Sequence, residues 1–230
     1  MTVLLVAGLL PCAVLLYYIY SHDKIEKEPA GLLVKLLFLG ALSTIPAMIL
    51  EMVGMNLLIN LGMDQSSILF IALENFLIVA LAEEGCKKLL LRFGSWKDPN
   101  FNYVFDGVVY GVCVALGFAG LENVLYIAGF GMEVAVIRGL AAVPLHCICG
   151  VFMGHFYGLE KAYAVRGDQS TASTARTLGL LIPILIHGFY DFAASMQSNA
   201  FIIVWLVFVV IMDVIAIGQV KKYSQLDTPI

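Results

Sequence analysis

Two adjacent carboxylates, Glu83 and Glu84, stand inside the apolar run from Phe76 to Leu91. An ionised carboxylate near the middle of a bilayer costs about 2.5–3.5 kcal/mol on insertion scales, and two side by side also repel each other. A chain that keeps both is expected to use them. A buried, paired carboxylate is suited to act as a general base that draws a proton from water. Lys87 follows Glu83 by four residues and Lys88 follows Glu84 by four, so each acid has a lysine on its own helix face. Asp191 follows His187 by one helical turn, an arrangement in which a carboxylate orients an imidazole. Glu122 comes one turn after Phe118. His146 follows Pro144, next to an expected backbone irregularity of the kind that lines cavities in membrane helices.

Other polar residues in apolar surroundings read as packing. Glu51, Glu74 and Asp213 stand alone and are expected to act as helix–helix glue, worth about 0.6 kcal/mol apiece. His155 is expected to meet headgroups or a loop at the inner end of its span. Cys12, Cys86, Cys113, Cys147 and Cys149 all fall in or beside apolar runs, so disulfides are not expected. Cys147 and Cys149 are two apart and point away from each other on a helix, which speaks against a joint metal site.

The elements that must position these groups are membrane helices. Of 230 residues, 61% are hydrophobic and only 13% charged, and the mean hydropathy is +0.93. No soluble domain of this length has that composition. The net charge of −4 and the lack of a basic aromatic stripe exclude a nucleic-acid partner. The expectation is an all-α polytopic membrane helix bundle, one transmembrane domain over residues 1–230, with about seven spans in the lipid bilayer. They fall near residues 3–20, 32–60, 67–91, 103–130, 135–160, 177–195 and 200–220. The first reads as a retained span rather than a cleaved signal, because it lacks a charged leader and a small-residue cleavage site. Pro46, Pro144 and Pro183 predict kinks. Gly107, Gly111, Gly117 and Gly120 make the fourth span thin on one side, and residues 167–174 read as a flexible polar loop.

Basic residues sort between the two ends of these spans. Lys24, Lys27 and Lys35 flank the first connection, and Lys87, Lys88, Arg92 and Lys97 the third. Lys161, Arg166 and Arg176 flank the fifth, and Lys221 and Lys222 lie at the tail; only Arg138 belongs to the other side. The positive-inside rule then places the N-terminus outside and the C-terminus in the cytoplasm of a multi-pass cell-membrane protein.

Four motifs occur in order on successive spans: Glu83-Glu84-x-x-Lys87, Phe118-x-x-x-Glu122, His146, and His187-x-x-x-Asp191. Together they resemble the PrsW family of bacterial membrane proteases, a branch of the superfamily that contains the CAAX prenyl proteases and the Abi proteins. Supporting pieces are Asp23-Lys24-x-Glu26-x-Glu28-Pro29, Asp106-Gly107-x-x-Tyr110-Gly111 and Gly117-Phe118-Ala119-x-x-Glu122-Asn123, so the resemblance covers residues 17–192. Glu122 stands where the CAAX branch has histidine, Asp191 where it often has asparagine, and Lys87 one position before its arginine. These departures point away from prenyl-protein processing. The resemblance implies an intramembrane endopeptidase acting on a membrane-anchored protein such as an anti-sigma factor, the first cut of regulated proteolysis in an envelope-stress response.

Peptide hydrolysis needs an activated water, a base, an acid for the leaving amine and a partner for the oxyanion. Glu83, Glu84 and His187 are the expected catalytic residues, with Glu83 the base and Glu84 a ligand or supporting group. Glu84, Glu122, His146 and His187 supply enough donors for a catalytic Zn²⁺ with one open position. A metal-free glutamate–histidine mechanism is the alternative. Asp191 is expected to orient His187, with Lys87 and Asn123 in support. Two rival readings remain: an ion- or proton-coupled transporter, against which no inverted repeat is evident, and a non-catalytic membrane regulator of the same fold. At about 1.5 Å per residue, Glu84 falls toward the cytoplasmic half of its span and Glu122 toward the outer half, which leaves the side of substrate access open.

Overall fold

The computed structural model describes residues 2–196 and 198–230. The described chain runs through α1 (Thr2–His22), α2 (Ala30–Asn60), α3 (Ile68–Leu73), a π-helical segment (Glu74–Ala80) and α4 (Leu81–Ser95). It continues through α5 (Val104–Phe130), α6 (Glu133–Ile137), a second π-helical segment (Arg138–Ala142), α7 (Val143–Val165), α8 (Gln169–Ser195) and α9 (Asn199–Gln225). Six of these stretches are long and apolar enough to cross a membrane. A seventh long stretch is the unbroken helical run from α3 to α4, which carries Glu74, Glu83, Glu84, Lys87, Lys88 and Arg92.

Helix α5 is the hub, packed among α1, α2 and α7. A side chain at Gly107 or Gly111 would strike the α7 backbone at Gly154 or Gly150, and one at Gly117 would strike the Leu37 carbonyl on α2. Small residues allow such close helix approach in membranes. The glycines therefore thin α5 on two faces, not one: successive turns drift around the axis, so Gly117 no longer shares the face of Gly107. On α9 only Ala216 and Val220 are buried, and its apolar surface is left for lipid.

Two expectations need correction. Residues 169–174 are not a flexible loop. Asp168 caps α8 by accepting from the Thr171 backbone N–H at 3.0 Å, and the helix starts at once. Pro144 stands at the start of α7, directly after a π-helical segment, so the irregularity there lies in the hydrogen-bond ladder ahead of the proline. His155 lies beside the residues of the tail, near Lys222 and Thr228. Its ring stacks on Tyr223 of α9, with centroids 3.6 Å apart and planes 5° apart.

One end of the bundle is closed by carboxylates. Asp106 Oδ2 accepts from the backbone N–H groups of Asn102 and Tyr103 at 2.9 and 2.7 Å, capping α5. Asp227 Oδ1 accepts from those of Phe105 and Thr228, which ties the tail to the same helix start. Tyr110 donates its hydroxyl proton to Glu28, so two of the sequence motifs meet here.

Candidate functional site

Glu83 and Glu84 open α4 immediately after the first π-helical segment, and His146 stands in the first turn of α7 after the second. A π turn holds more residues than an α turn, so it rotates every later side chain about the axis. Both segments thus help set which residues of the following helix face inward. Side chains also lean toward the N-terminus of their helix. The α4 groups lean one way along the bundle and Glu122 on α5 the other. This narrows the separation in depth between Glu84 and Glu122 inferred from residue counting.

Lys87 closes what remains of that gap. Its ammonium donates to Glu83 Oε2 at 3.0 Å, Glu84 Oε1 at 2.8 Å and His146 Nδ1 at 3.0 Å. It also lies 3.9 Å from the centre of the Phe118 ring, a cation–π contact that gives Phe118 its place beside Glu122 in the motif. Since an ammonium has only donors, His146 Nδ1 accepts, and its Nε2–H donates to Glu122 Oε2 at 3.0 Å. The expected supporting lysine is therefore at the centre of the cluster rather than behind it.

His187 is held between two acids. Its Nδ1 lies 2.8 Å from Glu84 Oε1 and its Nε2 lies 3.1 Å from Asp191 Oδ2. The rings of His146 and His187 meet nearly at right angles, 5.1 Å between centroids. Glu122 pairs with Arg138 at 2.8 Å, and the Arg138 guanidinium covers the Tyr126 ring at 3.8 Å. Asn123 accepts from Arg138 Nε at 3.2 Å and donates to the Gly8 carbonyl on α1, so it fastens Arg138 rather than touching the cluster. Reading the sequence left Arg138 as the one basic residue on the wrong side. The available signal was a lone cation inside an apolar span with no acid partner one turn away on its own helix.

Glu83, Glu84, His146 and His187 each offer a ligand atom, all within 4.8 Å of one another. This compact group contains Glu83 in place of Glu122, which is taken by Arg138 and His146. Two carboxylates and two imidazoles form a donor set that suits a transition metal, and Glu84 Oε2 is buried without a partner among the described residues. The donors fit a metal by type and spacing. The Lys87 ammonium is bonded to three of the four residues, so it competes for the same oxygens and nitrogen.

Glu83, His146 and His187 face a cavity of about 610 Å³, while Glu84 lies behind them, fully buried. The cavity wall includes Glu51 on α2, Tyr126 on α5, Asp191 on α8 and Trp205 on α9. These residues lie in the second halves of α2, α5 and α8 and the first half of α9. The cavity therefore runs from mid-bundle toward the end opposite Asp106 and Glu28.

The chain matches the model of the family described as PrsW family intramembrane metalloprotease over residues 28–216. It is 32% identical over 222 residues to the Protease PrsW of Oceanobacillus iheyensis, covering 96% of each chain. It is 35% identical over 193 residues to the Protease PrsW of Bacillus subtilis, covering 84% of this chain and 83% of the relative. With the Protease PrsW of Halalkalibacterium halodurans it shares 31% identity over 224 residues, 97% of this chain and 98% of the relative. No solved structure matches the chain. A buried carboxylate–imidazole cluster on converging membrane helices and this match over most of its length lead to one conclusion: the chain belongs to the PrsW family of intramembrane metalloproteases.

Proposed function

We propose that this membrane protease cleaves membrane-anchored regulatory proteins on the outer side of the cell membrane, making the first cut of an anti-sigma factor in envelope-stress signalling. The carrying observation is that Glu83, His146 and His187 face a cavity confined to one half of the bundle. The distribution of lysine and arginine supports placing that half outside, with the N-terminus outside and the C-terminus cytoplasmic. The family's wider place, in the superfamily of CAAX prenyl proteases and Abi proteins, rests on the order of the four motifs.

In this reading Glu83 is the base and is left out of the ligand set, because its carboxylate faces the cavity and can take a proton from water there. Glu84, out of reach of the cavity, holds His187 by its Nδ1. His187 is directed by Asp191, and donates to the oxyanion or the leaving amine as the bond to Asp191 yields. His146, with its Nε2–H on Glu122, is fixed in one tautomer. Lys87 balances the charge of the two glutamates, and Arg138 that of Glu122. Glu84, His146 and His187 would hold the metal, which we assign as Zn²⁺; when bound, it lowers the pKa of a coordinated water and polarises the scissile carbonyl.

The test is reconstitution of the purified protein with single-span peptides labelled at both ends. The expected result is a cut on the luminal side of proteoliposomes that hold the protein with its N-terminus facing the lumen, and none with Glu83→Ala. A cut on the cytoplasmic flank would overturn the sidedness. No cut in any orientation, with flux of protons or ions instead, would return the transporter reading.

A further inference from the structure

The cavity contains one acid for which the reaction cluster has no use. Glu51 was expected to be packing glue, but it lines the cavity and makes no hydrogen bond or ion pair among the described residues. The neighbouring cavity acids are committed: Glu83 to Lys87, Glu122 to Arg138 and His146, and Asp191 to His187. Arg138, the cation on the cavity wall, is already taken by Glu122 and the Tyr126 ring. The wall thus presents one uncommitted carboxyl group beside the reacting groups, in a span where an unpaired carboxylate is costly. A polypeptide laid along this wall can offset that cost only with a group that donates protons or carries positive charge.

We infer that Glu51 receives a lysine or arginine side chain of the bound substrate, and so sets a preference for a basic residue in the segment that occupies the cavity. The inference rests on the protease reading of the same cavity. Its chemistry is an ion pair in a partly desolvated site, where an ammonium or guanidinium opposite a carboxylate is favoured over an amide and a carboxylate is rejected.

The experiment uses three single-span peptides that differ at one position next to the cut site: lysine, glutamine or glutamate. Binding is read by fluorescence anisotropy in a Glu83→Ala background that leaves the peptides intact, and kcat/KM is read with Glu83 present. The expected lysine-over-glutamine ratio is about tenfold in both measurements. It falls to near one in Glu51→Gln, is kept in Glu51→Asp, and inverts toward the glutamate peptide in Glu51→Lys. Glu74→Gln, an acid of the same half that does not line the cavity, leaves the ratio unchanged. A merely structural role for Glu51 would lower binding of all three peptides together and leave the ratio intact, and that result overturns the assignment. So does a ratio near one in the unaltered protein. If no peptide is cut while the Glu51-dependent binding ratio holds, the protease reading fails and the assignment of Glu51 stands.

Discussion

Two clusters in the bundle bury carboxylates in opposite ways, while fully buried Glu160, near the second of them, is paired with Arg92 and Arg176. Around Glu83 and Glu84, acids are matched by cations: Lys87 bridges the pair and Arg138 holds Glu122, with two histidines between. At the other end, roughly 24 Å away along α5 at 1.5 Å per residue, Asp23, Glu28, Asp106 and Asp227 make no ion pair among the described residues. There the partners are backbone N–H groups and the Tyr110 hydroxyl. Burial pushes Glu28 up to about 7, with Asp23 adding to the rise and Tyr110 opposing it. Burial also raises Asp23 to about 6 against the pull of Lys27. The difference teaches what each set can do. Acids balanced by cations are kept as charged groups and can trade protons with water in a cavity. Acids balanced by caps, a tyrosine or their own protons act as fasteners.

The largest test of this contrast is removal of the acids themselves. Glu83→Ala, Glu84→Ala and His187→Ala should each lower turnover of a membrane-anchored peptide by roughly 10²–10⁴-fold, the range for a lost acid–base group. Circular dichroism should show the helix content retained. Near-normal turnover in all three would make the cavity end as structural as the other. Metal removal comes next. If the donors hold Zn²⁺, a strong chelator should abolish turnover and added Zn²⁺ restore it. Unchanged turnover in protein shown by elemental analysis to be metal-free would leave Glu83 to act on water with Lys87 as the cluster's resident cation.

Lys87→Met sharpens the comparison on the stability side. It leaves two buried glutamates without their shared cation, which should cost about 3–5 kcal/mol, measured by denaturation in mild detergent. An unchanged midpoint would mean that the cluster does not need its cation. The smallest effect belongs to the capped end. Folded Glu28 keeps its proton up to about pH 7, whereas the unfolded chain releases it near the ordinary value of 4.5. The folded state binds more protons in that interval, so this part of the stability is full below about pH 4.5 and is lost as pH rises through about 7. Glu28→Gln should flatten that slope in thermal melts between pH 5 and 8 while leaving turnover in place. A slope unchanged by the substitution would place the titration elsewhere.

The reactive groups were legible because burial in an apolar span makes each of them expensive, and because spacings of three and four residues put Glu83, Glu84 and Lys87, and also His187 and Asp191, within reach on one helix. The membrane class and the long apolar spans followed from hydropathy and length, which need no tertiary information. How each helix is rotated about its own axis was not legible. The π-helical segments at Glu74–Ala80 and Arg138–Ala142 leave no reliable mark in composition, yet they turn every residue after them.

What the sequence determined by itself is therefore the inventory of this protein: a lipid-embedded all-helical chain, its ordered acids and histidines, and the charge bias of its ends. Only the tertiary structure decided that Lys87 rather than an outlying residue centres the cluster, that Arg138 takes Glu122, and that Glu51 faces the cavity unpaired. The reason is geometric. Spacing along one helix is encoded locally, whereas contacts between helices depend on rotation, tilt and the glycine-lined approach of α5 to α2 and α7, which exist only once the helices have packed.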